Sequence, residues 1–206
     1  AKNLGFGEST GVDLPYEKSG IVPDRQLFED WRITNPELVR PEGWLGGDLM
    51  NLIVGQGAIT TTPLQVANAY KTLLTGYFSN PYLNKGQKDN QNFRDLNIDE
   101  DFIQFLFEDL NLVTNKNGTA YFAFEMLGQQ ANDIGGKTGT AQNPGNKNDT
   151  SWFVGVDSIS DPNYIVVTVV DEGGSGSAVA APISRRVIQH LIGLELTAVK
   201  FGEITE

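Results

Sequence analysis

The chain has no cysteine among its 206 residues. That excludes a disulfide framework, a thiol nucleophile and any cysteine-based metal site. It holds a single histidine, His190, and a triad would need a serine and an aspartate arranged with it. A helix-end or surface role suits it better. Positive charge is scarce: 15 Lys and Arg stand against 26 Asp and Glu, giving a net charge of −11. Phosphate binding needs clustered Lys and Arg, so no nucleic-acid partner is expected. An anionic membrane surface is disfavoured for the same reason. No run approaches the ~18 apolar residues that a bilayer span requires. The amino terminus, Ala1-Lys2-Asn3-Leu4-Gly5, shows no signal-peptide pattern and reads like a chain entered in mid-domain.

What is present suits a folded domain. Hydrophobic residues make up 39%, charged residues only 20%, and glycines number 23. Residues 1–24 are cut into turns by Gly and Pro. Residues 24–47, with Trp31, Trp44, Pro36 and Pro41, read as a long irregular surface segment with aromatic anchors. Residues 48–54 suit a short helical turn. Thr62 followed by Pro63 is a strong helix start, and Leu64, Val66, Ala67, Tyr70, Leu73 and Leu74 recur at helical spacing as far as Gly76. Residues 77–96 read as a polar loop with one short strand near Tyr82. A second helix is expected over 99–112, its first turn carrying Asp99, Glu100 and Asp101, its apolar side Phe102, Phe105, Leu106 and Leu110. These acids read as a helix start rather than metal ligands. A third short helix is expected over 119–127.

The grammar then changes to strands: 132–142, 151–156 and the β-branched run 164–170. Short connections over 143–149 and 158–163 imply an antiparallel meander. Gly173–Ser177 reads as a flexible, solvated loop. A last helix spans 181–193, with Ile183, Val187, Ile188 and Leu191 on its apolar face. The fold class is therefore α+β: a helical and loop portion over about 1–131, a three-stranded sheet with one covering helix over about 132–193, and a tail over 194–206. The sheet asks for completion by strands not in the chain.

The chemistry concentrates in Gly136-Lys137-Thr138-Gly139-Thr140-Ala141-Gln142. Glycines in a strand are unfavourable unless a ligand or another backbone comes close. Thr138 and Thr140 are two residues apart, so they share one face of an extended chain. Both hydroxyls could meet a carboxylate-bearing ligand while Lys137 supplies positive field. Taken alone, the run also fits an ordinary Gly-rich strand end with solvated side chains.

Four landmarks in order resolve that choice. They are Phe6-Gly7-Glu8-Ser9-Thr10-Gly11-Val12-Asp13-Leu14-Pro15; Gly55-Gln56-Gly57 with Thr62-Pro63-Leu64-Gln65; Gly118-Thr119-Ala120; and Lys137-Thr138-Gly139-Thr140 followed by Trp152-Phe153-Val154-Gly155. The ordered set resembles the transpeptidase domain of penicillin-binding proteins, above all the monofunctional class B enzymes of elongation or division. The resemblance covers about residues 4–193.

It implies a serine D,D-transpeptidase of peptidoglycan cross-linking, acting on D-alanyl-D-alanine stem peptides and trapped by β-lactams, with no cofactor and no metal. Catalytic roles fall to Lys137 and Thr140. Lys137 sets the positive potential and assists proton traffic, and the Thr140 N–H forms half of an oxyanion hole. Thr138, Gly139 and Thr140 bind substrate, Gly139 by leaving the strand open to close approach. The parent would be anchored in the bacterial cytoplasmic membrane, with this domain on the extracytoplasmic side among cell-wall synthesis partners.

The family also uses S-x-x-K for the nucleophile and S-x-N on a loop. Neither occurs in this chain. Thr197-Ala198-Val199-Lys200 lies after K-T-G, in the wrong order, and Tyr82-Leu83-Asn84 lies too far along to be the second motif. The nucleophile is expected upstream of Ala1, which leaves residues 1–206 inactive alone and leaves part of the core open to association. Two other readings stand beside the enzyme: a β-lactam sensor or β-lactamase relative, and a non-catalytic penicillin-binding-like domain.

Overall fold

The computed structural model describes residues 1–84, 86, 93–158 and 161–202. Six α-helices and five strands order the described residues: α1 (Arg25–Thr34), α2 (Gly46–Ile53), α3 (Pro63–Thr75), β1 (Tyr77–Ser79), β2 (Phe93–Asp95), α4 (Glu100–Thr114), α5 (Tyr121–Phe124), β3 (Gly135–Ala141), β4 (Thr150–Val156), β5 (Ile165–Val170) and α6 (Ala181–Leu191). The class is α+β, with β3, β4 and β5 in an antiparallel meander.

Helix α3 begins as its capping residues dictate. The Thr62 side chain accepts from the Gln65 N–H, the Gln65 side chain accepts from the Thr62 N–H, and Pro63 fills the first turn. Gly76 ends it at φ 77°. Asp99 caps α4 by accepting from the Asp101 N–H at 2.9 Å.

The register sets Lys137 opposite Val154 and Gly139 opposite Trp152. Alternation puts Thr138, Thr140, Ser151 and Phe153 on one face of the sheet and Lys137, Gly139, Trp152 and Val154 on the other. The first face is covered by α5, α6 and the turn Gly176–Ala180, around Phe124, Phe153, Ile134, Ala180 and Ile188. The second face is covered by α3 and α4 at one end, where Leu74, Phe107, Leu110 and Val156 form a smaller cluster.

Five sequence expectations are corrected. Residues 25–34 form a helix, not an irregular segment: the Asp24 carboxylate accepts from the Leu27 N–H at 2.9 Å, and Phe28 is buried with Trp44 edge-on at 5.0 Å. The strand expected near Tyr82 lies instead at Tyr77–Ser79, paired with Phe93–Asp95; residues 85 and 87–92 of that loop lie outside the described residues. Phe102 and Phe105 of α4 face solvent, and the packed side is Ile103, Leu106, Phe107 and Leu110.

Residues 173–177 are not a solvated loop: Gly174 and Gly176 are buried, and the Ser151 hydroxyl donates to the Ser175 carbonyl and accepts from the Ala180 N–H just beyond, both at 3.0 Å. On α6, Val187 and Leu191 are about two-fifths exposed while Ser184, Arg185 and Gln189 are buried beside Ile188. The tail covers that polar stripe: Arg185 Nη2 donates to the Ala198 carbonyl and Gln189 Nε2 to the Glu195 carbonyl, each at 2.8 Å. Residues 159–160 of the expected 158–163 connection, and 203–206 of the tail, lie outside the described residues.

Candidate active site

Among the described residues, strand β3 has β4 on one side and no strand on the other. In an antiparallel ladder alternate residues turn both backbone groups toward the same neighbour. Two contacts fix which residues turn outward. Gln56 Nε2 donates to the Thr140 carbonyl at 3.1 Å, and the Gln142 N–H donates to Gln56 Oε1 at 3.3 Å. Thr138, Thr140 and Gln142 therefore aim their backbone groups off the free edge, and Lys137, Gly139 and Ala141 bond inward to β4. Along the edge stand the Thr138 carbonyl, the Thr140 N–H, the Thr140 carbonyl and the Gln142 N–H. Lys137 Nζ bends back to donate to the Thr138 carbonyl at 2.7 Å.

The two threonines share a face, as their spacing requires, but Lys137 is on the opposite one. All three flank the same edge. On the threonine face the Thr138 and Thr119 hydroxyls meet at 3.1 Å, and Thr140 Oγ1 accepts from the Gly176 N–H at 3.2 Å. Gly176 lies so near β3 and β4 that an added Cβ would come within 2.3 Å of the Gly139 carbonyl and 2.4 Å of that of Trp152. Only glycine permits this approach, and it is what brings the Gly176 N–H to Thr140.

On the lysine face a cleft of about 690 Å³ opens between β3 and the segment 53–61, walled by Phe6, Ile53, Val66, Tyr70, Trp152 and Val154. This is the size of a small-molecule or peptide-end site, apolar with a few polar groups at one rim. Burial raises the Tyr70 phenol to about 12, so near neutrality it is a neutral hydroxyl and no base.

Lys137, Thr138, Gly139 and Thr140 thus meet at one rim. Sequence reasoning missed Gln56 and Thr119 as neighbours of that rim, although each stands inside a landmark, Gly55-Gln56-Gly57 and Gly118-Thr119-Ala120. Trp152 lines the cleft, whereas Phe153 is fully buried in the core. Tyr82 lies outside this cleft, and the Leu83 N–H beside it donates to Asp13. His190 is exposed in the last turn of α6. Among the described residues no three His, Asp or Glu side chains group so as to hold a metal ion. None of the described helices is long and apolar enough to cross a membrane.

The fold is shared with solved structures. Penicillin-binding protein PBP2 from Helicobacter pylori, in its complex with MreC, superposes with a TM-score of 0.70 at 26% identity, covering 93% of this chain and 34% of that one. Pseudomonas aeruginosa PBP2 in complex with WCK 5153 gives 0.68 at 26% identity, over 98% of this chain and 44% of that one. The family model of the penicillin binding protein transpeptidase domain matches residues 1–189, and the chain belongs to that family. Among curated relatives, the peptidoglycan D,D-transpeptidase MrdA of Haemophilus influenzae is 29% identical over 97% of this chain and 33% of its own length. The chain spans about a third of the length of such relatives.

Proposed function

We propose that this chain is the carboxy-terminal portion of a class B penicillin-binding protein, a serine D,D-transpeptidase that cross-links peptidoglycan. The observation that carries the reading is the open edge of β3. It offers the Thr140 N–H beside the Lys137 cation, with two hydroxyls on the flank. A backbone donor aimed where an acyl oxygen becomes negative is worth ~3 kcal/mol. In this reading the Thr140 N–H supplies half of the oxyanion hole. The Thr138 and Thr140 hydroxyls hold the terminal carboxylate of a D-alanyl-D-alanine stem peptide or of a β-lactam, with Gly139 leaving room between them. Lys137 sets the local potential and assists proton transfer between the serine and its partner lysine.

The S-x-x-K nucleophile and the S-x-N motif, absent from residues 1–206, are assigned to chain amino-terminal to Ala1. There the serine attacks the penultimate D-alanine carbonyl, expels D-alanine, and passes the acyl group to an acceptor amine. The parent is anchored in the cytoplasmic membrane, with this domain on the outer side and cell-wall synthesis proteins as partners. The relatives named peptidoglycan D,D-transpeptidase MrdA support a cell-shape role.

Fluorescent penicillin labelling tests this. The full-length protein carrying this chain is labelled, and residues 1–206 alone are not. Thr138→Val with Thr140→Val in the full-length protein slows labelling at least about tenfold, since hydrogen bonds to a charged group contribute ~1.5–3 kcal/mol each. Labelling of residues 1–206 alone contradicts the placement of the nucleophile. A full-length protein that stays unlabelled favours a non-catalytic relative. Fast hydrolysis of the acyl-enzyme favours a β-lactamase.

A further inference from the structure

Gln56 does for β3 what a neighbouring strand would do. Its side-chain amide donates to the Thr140 carbonyl and accepts from the Gln142 N–H, at 3.1 and 3.3 Å. One donor and one acceptor on the free edge are thereby satisfied by a residue 84 positions away in sequence. The side chain is aimed there by its loop. Gly55 and Gly57 have φ of +76° and +80°, and the Gln56 N–H donates to the Asn51 carbonyl at 2.8 Å at the end of α2. Left-handed backbone on both sides turns the chain sharply, so that Gln56 projects at β3 while the loop wall passes on to Ile59 and Thr60.

An extended ligand joining this edge as an antiparallel strand pairs with Thr140 through two bonds. Its carbonyl accepts the Thr140 N–H, and its own N–H on the same residue step donates to the Thr140 carbonyl. The first of those edge atoms follows, along the edge, the Thr138 carbonyl that Lys137 Nζ reaches, and the second carries the Gln56 amide. We propose that Gln56 is a positioning residue that occupies the amide seat on the β3 edge, so that a strand-like ligand and the Gln56 side chain exchange for the Thr140 carbonyl. The inference rests on the transpeptidase reading above. It adds a specificity element to it: ligands that bring an amide N–H compete with Gln56 for that carbonyl, and ligands that lack one do not.

The test compares two β-lactams on the full-length protein. Ampicillin carries an acylamino side chain with an N–H, and a carbapenem carries a hydroxyethyl group at that position. The readout is the ratio of their second-order acylation rate constants. In Gln56→Ala the ratio of ampicillin to carbapenem rises about threefold to tenfold, the worth of one net hydrogen bond released from competition. Gln56→Glu is the second variant. A carboxylate still accepts from the Gln142 N–H but has no N–H for the Thr140 carbonyl, so the ratio rises as it does for alanine. A change in fold moves both drugs together and leaves the ratio alone, and Gln56→Ala, which adds no charge, separates the hydrogen bond from any effect of the new carboxylate on the ampicillin ammonium. An unchanged ratio in both variants overturns the exchange at Thr140 and leaves the transpeptidase reading standing. A wild-type protein acylated by neither drug overturns both.

Discussion

Gln65 is where the fold of the amino-terminal segment can be tested most sharply. Its side chain is 1% exposed and joins three pieces of chain. Nε2 donates to the Glu8 carbonyl at 2.8 Å and the Ser19 carbonyl at 2.7 Å, while Oε1 accepts from the Thr62 N–H at 2.9 Å. Thr61 Oγ1 adds a weaker bond at 3.2 Å. Gln65→Leu keeps the volume and removes all of them. Each of the three short bonds contributes ~0.5–1.5 kcal/mol net, so the loss is about 3 kcal/mol. It grows if the Glu8 and Ser19 carbonyls stay out of water. In urea, with a slope of ~2 kcal/mol per molar, the midpoint falls by about 1.5 M at unchanged slope.

Tryptophan fluorescence can follow the unfolding, because Trp31 and Trp44 report on α1 and Trp152 on the sheet. Gln65→Glu separates donor from acceptor. It keeps the acceptor for Thr62 and aims a carboxylate at two carbonyls, which raises the carboxyl pKa and favours its protonated form. Protonation restores one donor. The deficit of Gln65→Glu against wild type should therefore shrink as pH falls through the raised pKa, whereas that of Gln65→Leu should not. A midpoint shift below about 0.5 M for Gln65→Leu, or a Gln65→Glu deficit indifferent to pH, would refute Gln65 as the junction of residues 5–20 with α3.

The remaining expectations are simpler. Gly136→Ala places a Cβ 2.4 Å from Phe153 Cζ and 2.6 Å from the Val154 carbonyl, so it should cost about 2–3 kcal/mol by thermal melting. Gly46→Ala in α2, with nothing within 4 Å, should be neutral or stabilise by ~0.5–1 kcal/mol; equal effects at the two sites would contradict the β3–β4 register. Tyr70, raised from 10.0 to about 12 by burial, keeps its proton more tightly when folded. Its contribution is intact below pH 10 and is lost as pH rises from 10 toward 12. Absorbance titration near 295 nm should show one tyrosine ionising late, and Tyr70→Phe should remove that phase together with the alkaline loss of stability.

The sequence made legible whatever is local and periodic. Thr62, Pro63 and Gly76 bound α3 because capping is a property of a few adjacent residues. The meander was legible because 143–149 is short and 165–170 is β-branched. What failed is set by packing at a distance. Helix α1 is faint in the sequence, where Pro36 and Pro41 break the segment that follows it. Its helical signal is little more than Asp24 as cap with Leu27, Phe28 and Trp31. The buried face of α6 was misread because Arg185 and Gln189 are polar, and only the tail, folded back from Glu195 to Ala198, makes their burial affordable. The face of Lys137 follows from alternation alone, opposite to that of the two threonines.

The same distinction governs the candidate site. Lys137, Thr138 and Thr140 of the proposed site could be picked out as side chains, but the proposed oxyanion donor is a backbone group. Which N–H and carbonyl face outward depends on the parity of pairing with β4, and a shift of one residue would turn the Thr140 N–H inward and the Gly139 N–H outward. That parity is held from three directions: Gly136 admits the Phe153 ring, Gly176 seats its own N–H on Thr140, and Gln56 fastens the far edge. The glycines of this strand and its neighbours therefore serve register before they serve access. A residue bulkier than glycine at 136 or 176 would disarm the edge without touching any hydroxyl or the lysine.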